Sequence, residues 1–262
     1  MDKKYTIGDI KRTKPATKTE PWIGKFFFNW FNLRFAVFIA NYTSLTPRML
    51  TWIGFFSALV ASYFFFKGYI IIGAVLYFGR YLFDQIDGDI ARLKKDPSRW
   101  GTYLDNWTGR VAFGINAFAF TFGQFIQARE MIWIIMGSFL LFFILFHSWE
   151  SNRIAHIIGK RFKDIVVRTK GIESKNIIDK AKEFLLKHDL LEPFNTEDMN
   201  MLIMIIAPIV CTFVGYLKET IIVLILISIL KTIFWFVYYT RTLRLLDKKD
   251  KPNYLLKGDN EE

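Results

Sequence analysis

Apolar residues in this chain come in blocks of about twenty, and the charges are confined to the gaps between them. Lipid offers no hydrogen bonds to the backbone, so blocks of this length select spanning helices. They fall at about 49–66, 69–92, 101–126, 131–148, 200–217 and 220–240. The expected fold is an all-α integral membrane protein with six transmembrane helices. Residues 21–45 are rich in Trp and Phe but broken by Lys25, Asn29, Asn32 and Arg34. That pattern predicts an interfacial amphipathic helix with its aromatics toward the acyl chains.

The remaining boundaries follow. Residues 1–20 read as a flexible basic arm and 246–262 as a polar tail. A membrane domain then spans 46–245, with a polar loop at about 150–198. In IIDKAKEFLLKHDLL the apolar positions recur at helical spacing, so the loop is expected to hold amphipathic helix. Lys and Arg crowd the arm, the link between the second and third blocks, the long loop and the tail. The opposite turns hold only Lys67, Arg129 and Lys218. Positive-inside logic places both termini and the long loop in the cytoplasm. The net charge of +11 is thereby explained by topology, with no nucleic acid partner. The single cysteine, Cys211, excludes an intrachain disulfide framework. The polar N-terminus carries no apolar stretch of signal-peptide type.

The second block ends unlike a lipid-facing helix, in GRYLFDQIDGDIARLKK. Asp84 and Asp87 are three residues apart and share a helix face. The third block opens GTYLDNWTGRVAFG, which puts Asp105 just inside the bilayer edge. Carboxylates at that depth are costly and face a protein interior or a wet cavity. Three of them near one another repel, and a divalent cation removes the conflict; hard oxygen donors suit Mg²⁺, Mn²⁺ or Ca²⁺. The plain structural alternative pairs Asp84 with Arg80 one turn earlier. Asp89 reads as part of a solvated helix end.

Other polar residues in apolar surroundings carry two readings each. Lys231, midway along the sixth block, meets a substrate headgroup or snorkels and pairs. Arg110 reaches a phosphate or Asp105. Arg153, with Lys160 and Arg161, binds a phosphorylated acceptor or anionic lipid, or simply marks the cytoplasmic side. His156 and His188 are expected to be solvated.

The pattern Asp84-x2-Asp87-Gly88-x2-Ala91-Arg92-x8-Gly101-x3-Asp105 resembles the signature of the CDP-alcohol phosphotransferase family. LTPRMLT, from Leu45 to Thr51, is similar to the family's segment leading into the first span, with Arg48 where Asn is common. The close resemblance covers about residues 45–110. It implies transfer of a phosphoalcohol or phosphatidyl group from a CDP-linked donor to an alcohol acceptor, with release of CMP. It implies Mg²⁺ or Mn²⁺, one or two ions, on Asp84, Asp87 and Asp105. It also implies a CDP pocket shaped by Pro47, Gly88, Ala91, Arg92 and Gly101, and a homodimer.

One position departs from the family pattern. The signature ends Gly-x3-Asp-x3-Asp, and its last aspartate, the expected general base, is replaced here by Gly109. By depth alone, His147 and Glu150 are the candidate bases. The alternative is an inactive or binding-only member, natural or engineered. A third reading is an unrelated membrane transporter using the aspartates as a cation site.

Overall fold

A computed structural model describes residues 4–13, 23–24, 29–96, 98–143, 146 and 196–249. Every regular element among them is helical. The chain runs through α1 (Ile7–Thr13), α2 (Asn29–Tyr42), α3 (Pro47–Phe66), α4 (Ile70–Leu93), α5 (Arg99–Ala128) and α6 (Ile132–Phe143). After residue 195 come α7 (Thr196–Met201), a π-helical turn (Leu202–Ile206), α8 (Ala207–Val214) and α9 (Leu217–Lys249).

Local chemistry sets the ends of the helices that carry the site. Thr46 caps α3 by accepting from the Met49 amide at 3.3 Å, and Pro47 occupies the first turn, where no donor is lost. Ser98 caps α5, accepting from the Gly101 amide at 2.9 Å. The turn from α3 to α4 needs a left-handed residue, and Gly68 supplies it with φ +79°. The π-helical turn precedes Pro208 and bonds the Ala207 amide to the Leu202 carbonyl. Pro208 has no amide hydrogen and crowds the carbonyl four residues back, so the helix rewinds there.

Two helices, Pro47–Phe66 and Arg99–Ala128, are long and apolar enough to cross a membrane; Ile132–Phe143 and Asp198–Val214 are shorter apolar helices. Large side chains stay exposed at helical spacing: Trp52, Phe56, Val60 and Tyr63 on α3, Val223, Leu226, Leu230, Phe234 and Val237 on α9. Stripes of that extent are unstable against water and stable against acyl chains.

α3 is the central helix. It packs extensively on both α4 and α5, which touch each other little. Small residues permit the close approach. A Cβ on Gly123 of α5 would come 2.3 Å from the Phe65 carbonyl oxygen of α3. Asn116, fully buried on α5, donates to the Ala58 carbonyl of α3 at 3.0 Å. Asn116→Leu is expected to destabilise the protein by about 1 kcal/mol, read as a lower melting temperature in detergent. An unchanged melting temperature would show that the bond contributes nothing.

Lys218 of α9 pairs with Glu130 beyond α5 at 2.8 Å, and Gln127 of α5 donates to the Lys67 carbonyl at 3.4 Å. The charge-poor turns at Lys67, Arg129 and Lys218 therefore share one end of the bundle. At the other end Lys94 donates to the Leu45 carbonyl at 3.1 Å.

Three expectations change. The arm predicted to be loose contains α1, whose Ile10 is fully buried with Leu33, Ala36, Ile86 and Ile90. Its few apolar residues share one face, which packing on α4 makes a helix. Helix α9 continues to Lys249, well past the apolar block, with Arg244 exposed near its end. Asp89 is not solvated: it is buried and paired with Arg92, on the stretch of α4 where Ile86 and Ile90 pack under α1 and α2. The predicted interfacial segment does contain a helix, α2, with Trp30, Phe31, Phe38 and Tyr42 exposed and the Arg34 guanidinium 3.7 Å from the centre of the Trp30 ring.

Candidate active site at the ends of α3, α4 and α5

The site is built on the last three turns of α4. Asp84 and Asp87 lie on one face there, and Asp105 and Gly109 lie one turn apart on α5. Asp87 is 5% exposed, and its Oδ2 sits 2.6 Å from the Thr51 hydroxyl of α3. That hydroxyl also lies 3.1 Å from the Pro47 carbonyl one turn earlier. Pro47 thus starts α3 in the register that brings Thr51 onto Asp87. Asp84 and Asp105 both act electrostatically on Asp87. The three predicted aspartates share one field, contributed by two helices wedged apart by α3.

Arg80 completes the cluster. Its Nη2 donates to Asp84 Oδ1 at 2.6 Å, the pairing that the plain structural alternative gave for Asp84. The same nitrogen lies 2.8 Å from where a Cβ on Gly109 would stand. One guanidinium therefore joins Asp84 of α4 to the bare backbone of α5.

The remaining predicted residues fall as follows. Arg92 pairs with Asp89, and its Nη1 lies 3.3 Å from where a Cβ on Gly88 would stand. Ala91 is half-buried one turn beyond Asp87. Gly101 leaves room for the capping Ser98 hydroxyl, which a Cβ would meet at 2.9 Å. Arg110 is exposed. Lys231 is half-buried and lines a small cavity of about 50 Å³ with Phe113, Leu140, Ile203 and Ser228. His147, Glu150 and Arg153 lie outside the described residues. Two roles were missed by sequence reasoning: Thr51 as the hydroxyl that holds Asp87, and Gly109 as space for Arg80. For Thr51 the available signal was its place one turn after the Pro at the start of a span.

Among the described residues no three carboxylate, imidazole or thiol groups are gathered closely enough to hold an ion as they stand. The donor chemistry nevertheless fits a hard divalent cation. Asp87 is buried beside two like charges, with a neutral hydroxyl as its side-chain partner. Asp84 meets Arg80 through its Oδ1.

The sequence profile of the CDP-alcohol phosphatidyltransferase family matches residues 44–186, more than half of the chain. The chain belongs to that family, a family of membrane-embedded phospholipid-synthesis transferases. It is 32% identical over 98 residues to the archaetidylinositol phosphate synthase of Pyrococcus horikoshii, covering 37% of this chain and 52% of that protein. It is 34% identical over 92 residues to the archaetidylinositol phosphate synthase of Methanothermobacter thermautotrophicus, covering 35% and 47%. The chain thus spans about half the length of these curated relatives. Family membership sets aside the reading as an unrelated cation transporter.

Proposed function

We propose that this chain transfers a phosphatidyl or phosphoalcohol group from a CDP-linked donor to an alcohol, releasing CMP. The observation that carries the reading is the family match over residues 44–186, which contains Asp84, Asp87, Asp105 and their supports Thr51 and Arg80. The product in the relatives' name carries a phosphate, which puts a phosphorylated polyol first among the acceptors. The proposed setting is one membrane domain over about 46–245 with six spans. Both termini and the site face the cytoplasm, in line with the Lys and Arg distribution, and the chain forms a homodimer.

Asp87, Asp105 and the outer oxygen of Asp84 would hold Mg²⁺ or Mn²⁺. When bound, the ion supplies positive charge to the donor's diphosphate and to the departing phosphate. Thr51 fixes Asp87 in one rotamer by occupying Oδ2. Gly88 and Ala91 keep the α4 surface low, so that a nucleotide would lie along it. In the reaction the acceptor oxygen bonds to the phosphorus distal to cytidine. The bond from that phosphorus to the CMP oxygen breaks, and CMP keeps the electron pair. The acceptor's proton needs a base, and position 109 offers none; we assign that role to His147 or Glu150.

Purified protein in detergent, given a CDP-lipid and a panel of alcohols with Mg²⁺ or Mn²⁺, is expected to release CMP and to stop when the metal is chelated. No release with any pairing, together with no binding of cytidine nucleotide, would sink the reading. Gly109 itself favours a second one, a member that binds the donor without turning it over. There, nucleotide binds and CMP appears only after Gly109→Asp.

A further inference from the structure

The Arg80–Gly109 contact is a feature of this chain that the proposed reaction does not use. Arg80 is largely buried, with its side chain 13% exposed, and its guanidinium bridges Asp84 and the gap at Gly109. Any side chain at position 109 would compete for that space. An aspartate there would put a carboxylate where a cation now sits. Glycine and the guanidinium are thus complementary: one vacates a volume and a negative charge, the other fills the volume with a positive one.

We propose that the Arg80 guanidinium is the resident counter-ion of the aspartate cluster, admitted by Gly109, and that the cluster therefore takes a single divalent cation. This rests on the reading of Asp84, Asp87 and Asp105 as metal ligands. Three carboxylates and one guanidinium leave two negative charges, which one divalent ion cancels. A second divalent ion would then meet a site with no net negative charge left to attract it, with Asp84 Oδ1 already taken by Arg80. Arg80 is a positioning residue: it acts on the ion through Asp84 and through its charge. Gly109 acts only through Arg80. A methyl group at 109 meets the far end of a flexible side chain, which moves aside without disturbing backbone.

Mn²⁺ alone is the probe, titrated into the purified full chain in detergent and followed by the electron paramagnetic resonance signal of the free ion. The unaltered chain is expected to bind one Mn²⁺ per chain. Arg80→Gln, which removes the charge and frees Asp84, is expected to tighten binding at least tenfold or admit a second ion. Arg80→Lys keeps the charge and is expected to stay within about threefold of the unaltered chain. Gly109→Ala is expected to tighten binding in the unaltered background, and to change nothing in the Arg80→Gln background. Melting temperatures run in parallel identify any variant that fails to fold; Arg80→Lys and Gly109→Ala then carry the test. Unchanged or weakened binding in Arg80→Gln, two ions in the unaltered chain, or an effect of Gly109→Ala without Arg80 overturns the proposal. An unaltered chain that binds no Mn²⁺ overturns it together with the metal-ligand reading beneath it.

Discussion

Asp87→Asn is expected to lower CMP release by roughly a thousandfold while the protein stays folded. The amide keeps the shape of the carboxylate and still offers Thr51 an oxygen, so the tie between α3 and α4 survives. What disappears is the charge at the most buried of the three site carboxylates. The measurement is CMP release at saturating Mg²⁺, with a melting curve beside it. Asp89→Asn, two residues away, should behave in the opposite way. Asp89 is paired with Arg92 and packed in the α4 core, so its loss strands a guanidinium and lowers stability by about 3 kcal/mol. If Asp87→Asn retains more than a tenth of the activity, this aspartate holds no essential ion.

Gly123→Val is expected to give the largest loss of folded protein. A Cβ there would come 2.3 Å from the Phe65 carbonyl oxygen and 2.9 Å from that of Phe66, both backbone atoms of α3. Neither can step aside as a side-chain tip would, so α3 and α5 must separate. The strain, with the loss of Phe65 packing on Phe120, is about 3 kcal/mol or more. Size-exclusion profiles and thermal melts in detergent report it. Activity falls with the folded fraction, because α3 positions Thr51 against Asp87 and holds α4 and α5 apart. A Gly123→Val protein that melts like the unaltered chain would show that the two helices do not approach as closely as described.

Much of the fold was legible because lipid imposes so simple a rule. Helices α3, α4 and α5 begin and end within two residues of the apolar blocks at 49–66, 69–92 and 101–126. The punctuation is visible too: Thr46-Pro47, Ser98 and Lys67-Gly68 cap or turn the chain for reasons of backbone chemistry alone. The aspartates stood out for a related reason, since carboxylates in an apolar helix need a cause. The sequence by itself therefore determined a helical chain made for an apolar solvent, the three candidate aspartates and the family they indicate.

Only the tertiary structure decided which groups meet. Asp84, Asp87 and Asp89 carry the same charge within six residues, yet one faces Arg80, one Thr51 and one Arg92. Spacing along a helix assigns residues to faces but does not say what covers each face. The same limit hid α1, whose burial of Ile10 depends on α2 and α4 meeting it. It also hid the meaning of Gly109. Along the chain Gly109 reads as a missing carboxylate; in three dimensions it is the space that Arg80 occupies from another helix. Periodicity and cost are local properties that one strand of sequence records, whereas the partner of a side chain is set by how the helices pack.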